Sequence, residues 1–340
     1  MKKVFIGVDF SKLTIDVAIL IGSNATEVLH SQFENTEQGC KRLLKWLQSE
    51  TKEQERSWLF CGEHTGIYVV PLVSFLQTKG IDIWLDSALR INRSRGLCRG
   101  KDDKSDAKDI ALYAYRYQDR AKVYQSPTIT VEGLKDLMAY RERLKSIRHS
   151  LYVSSKELKR IKTSDLSTDY IYTKSQEQID KIDESINEVE KKILSLIKED
   201  EQVKHNYDII TSIKGISLVN AVTIIVATNN FSWFCDARQF SCYSGSAPFK
   251  HQSGTSVKVR DKISPLANKK IKVFLTLAAT SAMRHNEVYK VYYQRKKAEG
   301  KEHFLIINNM RNKLIHLIFS LIKSGKKYDE NYINQLAKTA

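Results

Sequence analysis

Long apolar runs are missing from this chain. No stretch reaches the roughly 20 residues of a membrane-spanning helix, and the opening MKKVFIGVDF meets Asp9 too early to form the core of an export signal. A protein that is neither membrane-embedded nor exported is expected. Cysteine pairs are missing too: Cys40, Cys61, Cys98, Cys235 and Cys242 form no CxxC, and their odd number and irregular spacing argue against a disulfide framework or a zinc site. A reducing cytoplasm fits that usage. Acidic residues are the minority charge, 39 against 55 Lys and Arg, giving +16 and a pI near 9.4. The basic excess is spread along the chain, which points to a polyanionic partner, nucleic acid above all.

At 340 residues, two compact units and a connecting element are expected. Residues 3–8 (KVFIGV) and 14–21 (TIDVAILI) read as strands of a hairpin, with Asp9 where the first one ends. A strand over 26–34, a helix carrying Leu43, Leu44 and Leu47, a strand at 57–61, a helix from about 67 to 79 and a strand IDIWLD follow. That order suits a mixed α/β sheet. RGKDDKSDAKDIALYAYRY then turns from a charged loop into a helix beginning near Lys101, and Pro127 marks a boundary.

The next stretch is different in kind. Leu137, Tyr140, Leu144, Ile147, Leu151, Ser154, Leu158 and Ile161 alternate spacings of three and four, as do Ile179, Ile182, Ile186, Val189, Ile193 and Leu196. Two heptad-patterned helices are expected, folded back as an antiparallel hairpin or joined to another subunit. The resulting plan is α/β plus α: a mixed-sheet unit at 1–127, a coiled-coil hairpin at 128–205 and a mainly helical unit at 206–340. In the last, Gly215 between apolar stretches suggests a helix-hairpin-helix that offers amides to phosphate. YSGSAPFKHQSGTSVKVRDKIS reads as a small, basic loop.

Phosphodiester cleavage with metal ions needs carboxylates converging from strand ends and helix starts, because Mg²⁺ prefers hard oxygen ligands. Asp9, Glu63, Asp103 and Asp106 occupy such places, and Asp103 and Asp106, three apart, share one face of a first helical turn. Asp102 and Asp109 are the nearest decoys.

The blocks GVDFSK (7–12), EHTGIY (63–68) and KDDKSDAKDIALYA (101–114) resemble those of bridge-RNA-guided, DEDD-type insertion-sequence transposases, over nearly the whole chain. The resemblance implies a RuvC-like, ribonuclease H-type fold for the N-terminal unit, with Asp9, Glu63, Asp103 and Asp106 binding Mg²⁺, for which Mn²⁺ could substitute. Thr65, Gly66 and Lys101 would shape the site. The C-terminal YSGSAP (243–248) and QSG (252–254) resemble that family's second block, which implies Ser253 as the nucleophile on a DNA phosphate. Read alone, a serine in such a loop is a turn former, and Ser244, Ser246 and Ser256 compete with it. Lys250, Lys258, Arg260 and Lys262 suit backbone contact. Departures from the family pattern are Ser246 for leucine, and Ala267 and Lys272 where glycine and arginine are frequent. Tyr68, Tyr113, Tyr115 and Tyr117 could stack on bases, yet tyrosines on a helix more often pack, and they are assigned no role.

DNA, a guide RNA and further copies of the chain are the implied partners, in a bacterial cytoplasm. A RuvC-type junction-resolving endonuclease would need the carboxylates without the QSG block, and a silent nucleic-acid binder would need neither.

Overall fold

The computed structural model describes residues 3–21, 28–95, 103–162, 166–234, 236–253 and 257–329, excepting the side chains of 250–262. Two compact units divide it, Met1–Ser126 and Pro127–Ala340. Among the described residues, no helix is long and apolar enough to cross a membrane.

The first unit is built on strands β1 (Val4–Phe10), β2 (Thr14–Ile21), β3 (Val28–Glu34), β4 (Trp58–Glu63) and β5 (Ile83–Asp86). Their order in the sheet is β3-β2-β1-β4-β5; β1 runs antiparallel to β2 and parallel to β4, and β4 parallel to β5. Helices α1 (Glu37–Thr51), α2 (Val70–Thr78), α3 (Ala88–Ser94) and α4 (Asp103–Arg116) complete it. Successive side chains of a strand face opposite ways, so Ile6, Val8, Ile15, Val17 and Phe60 join Leu43, Leu47 and Leu72 in one core. Phe5, Ala18, Leu20, Leu59, Cys61 and Trp84 meet Ala107, Ile110, Ala111 and Ala114 in another. Both faces are covered, which is why β1 and β2 read as near-continuous apolar runs. β1 runs two residues beyond the expected end, so Asp9 lies within the strand rather than after it. The tyrosines of α4 pack: Tyr113 lies 5.0 Å from Trp84 and Tyr115 5.3 Å from Phe5, centroid to centroid.

The second unit opens with α5 (Ile129–Ile161) and α6 (Leu166–Glu199). Ion pairs Arg141–Glu190 at 2.7 Å and Arg148–Asp183 at 2.6 Å descend one helix as they climb the other, so the two run antiparallel. Ile179, Ile186, Val189 and Ile193 are buried as the heptad pattern predicts, but α5 turns Val131, Leu134, Met138 and Leu144 inward and leaves Tyr140, Ile147 and Ile161 exposed. The cause is a second neighbour, α8 (Leu218–Thr228), which packs on α5 beside α6 and shifts its buried stripe. One core continues from this pair through α7 (Glu201–Thr211), α8, α9 (Ala237–Tyr243), α10 (Lys269–His285), α11 (Glu287–Ala298) and α12 (His303–Ser324).

Two local features stand out. Gly215 takes φ +94°, and a Cβ on it would stand 2.7 Å from the Ala282 Cα. The close approach of α10 requires a glycine at this turn between α7 and α8. The loop expected after YSGSAP is largely an antiparallel hairpin, β6 (Phe249–Ser253) and β7 (Val257–Lys262). Its alternation is polar, so it lacks the apolar period that marks a buried strand.

Candidate active site

Close packing of α4 on β1 sets the site. A Cβ on Gly7 would stand 2.2 Å from the Ala107 carbonyl oxygen and 2.3 Å from the Ala111 nitrogen, so the helix backbone lies directly on the strand at that residue. Asp9 is two residues further along the same face of β1, and Asp103 lies one turn before Ala107 at the start of α4. Val8 pairs with Gly62, so Asp9 and Glu63 leave adjacent parallel strands side by side. Four carboxylates are thereby gathered at one end of one sheet face.

Electrostatics report the same gathering. The Asp9 carboxyl is pushed up to about 6, first by burial and then by the negative charges of Asp106, Asp103, Glu63 and Asp16. Like charges brought together disfavour ionisation of any one of them. The all-oxygen donor set fits a hard divalent cation. Among the described residues, however, no three His, Cys, Asp or Glu side chains stand ready around one point. Asp106 is turned onto Arg95, whose Nη1 lies 2.5 Å from its Oδ1 and whose Nε lies 3.4 Å from Asp109 Oδ2. Asp109, the decoy, is thus a partner of Arg95. Asp102 and Lys101 lie outside the described residues. Gly66 takes φ +74° in the turn that leaves β4, a conformation suited to glycine.

The sequence reading missed three neighbours. Asp16 sits directly across the hairpin from Asp9 and is nearly buried. Gln32 Nε2 donates to its Oδ2 at 2.9 Å, and the His30 ring Nε2 lies 2.9 Å from its Oδ1. The signal was present, since an acid at period two with Ala18 and Leu20 faces α4. Asp86 ends β5 on that face and accepts from the Tyr113 hydroxyl at 2.9 Å; burial and this carboxylate hold the phenol above its usual range. Arg95 is the third.

In the second unit Ser244 and Ser246 are fully buried, with the Ser244 hydroxyl 3.2 Å from that of Ser246, so both belong to the packing of the turn. Ser253 is the last residue of β6 and pairs with Val257. Ser256 and the side chains of 250–262, with Ser253, Lys250, Lys258, Arg260 and Lys262 among them, lie outside the described part.

A mixed five-stranded sheet with carboxylates at one end, joined in sequence to a helical unit, defines a DNA-recombining class of enzyme when set beside known proteins. Residues 6–156 match a transposase model of the DEDD IS110 type, and residues 207–294 match the transposase family IS116/IS110/IS902. The chain belongs to the IS110 family of transposases. It is 26% identical to the pilin gene-inverting protein of Moraxella bovis over 97% of this chain and 99% of that one. It is 25% identical to the Moraxella lacunata protein of the same name, with the same coverage. An insertion element IS110 protein of Streptomyces coelicolor is 26% identical over 36% of this chain and 30% of that one. Family membership implies enzymatic cleavage and rejoining of DNA.

Proposed function

We propose that the chain cleaves, exchanges and rejoins insertion-sequence DNA, with Asp9, Glu63, Asp103 and Asp106 holding Mg²⁺ or Mn²⁺, Ser253 attacking the DNA phosphate, and a structured noncoding RNA as guide. The observation that carries the reading is the Asp9 carboxyl, half-buried and raised among the other three acids near the end of β1. Crowded carboxylates are costly unless a cation answers them. The bound metal would supply Lewis acidity at a phosphoryl oxygen. Opening of the Arg95–Asp106 pair frees Asp106 for that role, and Asp109 offers the guanidinium a second anchor.

Ser253, on the hairpin beyond YSGSAP, would form a phosphodiester to the cut strand as the 3′ or 5′ oxygen departs. That covalent link conserves the energy of the broken bond, so rejoining needs no nucleotide cofactor. The names of the Moraxella relatives, which invert a gene, support a rejoining enzyme over a simple nuclease. Attack would require the serine oxygen within about 3–3.5 Å of the phosphorus, with the acids and the serine supplied by different copies in an oligomer.

The test is strand cleavage of supercoiled DNA carrying the element ends. Cleavage should need Mg²⁺ or Mn²⁺ and vanish in Asp9→Asn, Glu63→Gln, Asp103→Asn and Asp106→Asn. Unreduced cleavage in chelator would contradict the metal assignment.

A further inference from the structure

Arg311 on α12 is 6% exposed, yet no carboxylate meets it among the described residues. Its Nη1 donates to Thr276 Oγ1 at 3.0 Å, its Nη2 donates to Asn308 Oδ1, and its buried Nε–H has no acceptor among the described residues. A second cation, Lys272, stands one turn before Thr276 on α10, and no described acid answers it either. Burial holds the Arg311 guanidinium below its ordinary range, and burial together with the Arg311 charge does the same to Lys272. A buried cation without an anion is costly. Lys272 is half-buried and its charge adds to that cost; among the described residues no anion offsets the pair.

The pair adjoins the YSGSAP turn. Asn308 Nδ2 donates to the Ser246 carbonyl at 3.2 Å, and a Cβ on Gly245 would lie 3.7 Å from Lys272 Cδ. Asn268, which caps α10, donates its backbone N–H to the Tyr243 carbonyl at 2.8 Å. Lys272, Thr276 and Asn308 are half-buried, and the last two hold the guanidinium between them.

We propose that Lys272 and Arg311 form a phosphate-binding site, occupied by one backbone phosphodiester of the DNA strand beside the YSGSAP turn. The inference rests on the DNA reading above. A phosphodiester is a monoanion with two free oxygens; the guanidinium Nε–H, which has no acceptor among the described residues, donates to one of them, and the ammonium completes the charge. Its place in the unit that carries the QSG block assigns it to DNA rather than to RNA.

The experiment measures binding of a labelled duplex DNA to the full chain across a KCl series, with Lys272→Gln, Arg311→Met and the double variant. Each phosphate neutralised contributes about 0.9 to the slope of log affinity against log salt, so the double variant should lose about one from the slope and Lys272→Gln part of it. Thermal melting without DNA supplies the second readout. Relief of an unanswered buried charge predicts that Arg311→Met melts at or above the wild-type temperature, whereas an arginine serving only structure would melt lower when replaced. A slope unchanged in Lys272→Gln and in the double variant, while wild type binds steeply, overturns the pocket and leaves the transposase reading intact. A loss confined to duplex RNA reassigns the pair and overturns the DNA site. Wild type that binds no DNA removes both.

Discussion

The first unit crowds carboxylates where a folded protein ordinarily separates them, and the second does the same with cations. Ordinary ion pairs occur elsewhere: Arg148 meets Asp183 at 2.6 Å and Lys174 meets Glu177 at 2.8 Å. At the end of β1 the answer is partial, since Arg95 engages Asp106 while Asp9 keeps a carboxyl raised to about 6. Around Arg311 there is no described carboxylate at all. Each region sacrifices stability at a point where a ligand of opposite sign would restore it, a cation in one and a phosphate in the other. Stability withheld at a site is what a binding function costs.

Breaking the acidic side gives the largest expected effect. Asp103→Asn or Asp106→Asn should lower strand cleavage by about a thousandfold or more while DNA affinity stays near wild type, as a gel-shift series beside a cleavage assay would report. A parallel loss of affinity would mean that these acids serve the fold.

Gly7→Ala tests what positions those acids. A Cβ there would stand 2.2 Å from the Ala107 carbonyl oxygen, and overpacking of this kind costs about 3 kcal/mol. Urea denaturation followed by circular dichroism should show that loss; a change under about 0.5 kcal/mol would contradict the close approach of α4.

A smaller effect sharpens the comparison through pH. The Asp9 carboxyl is raised in the folded chain, so protonation favours folding: the contribution is complete below the ordinary carboxylate range and is lost as pH rises through about 6. Metal-free Asp9→Asn should therefore melt a few degrees above wild type at pH 8 and level with it at pH 4, and Mg²⁺ should close the gap at pH 8. An equal gap at both pH values would remove like-charge crowding as its cause.

The smallest effect concerns Arg95. Arg95→Ala should bind Mn²⁺ a few-fold more tightly than wild type by calorimetry, because Asp106 no longer has a competing cation. Weaker binding would make Arg95 a support of the site rather than a competitor.

Much of the first unit was legible because its strands bury both faces and α4 carries an Ala stripe against them. The four acids were legible as strand-end and helix-start residues in family-like blocks. Asp16 was not, since only the register of β1 with β2 sets it opposite Asp9. Nor was Arg95, whose partners Asp106 and Asp109 lie on a different helix, α4. The α5 stripe was misread because period alone does not reveal that α8 is a second neighbour, and the β6–β7 hairpin was missed because polar alternation resembles a loop. Arg311 gave no signal, as one arginine among 55 basic residues differs from the rest only by its burial.

The central claim, that this chain rejoins DNA through Ser253 as well as cutting it with its acids, is tested most directly by trapping the reaction on a nicked, labelled element-end substrate. The products are denatured and the protein–DNA adduct is mapped by mass spectrometry. The account predicts an adduct on Ser253 that disappears in Ser253→Ala and persists in Ser256→Ala. An adduct that survives Ser253→Ala, or metal-dependent products that carry no protein, would contradict it.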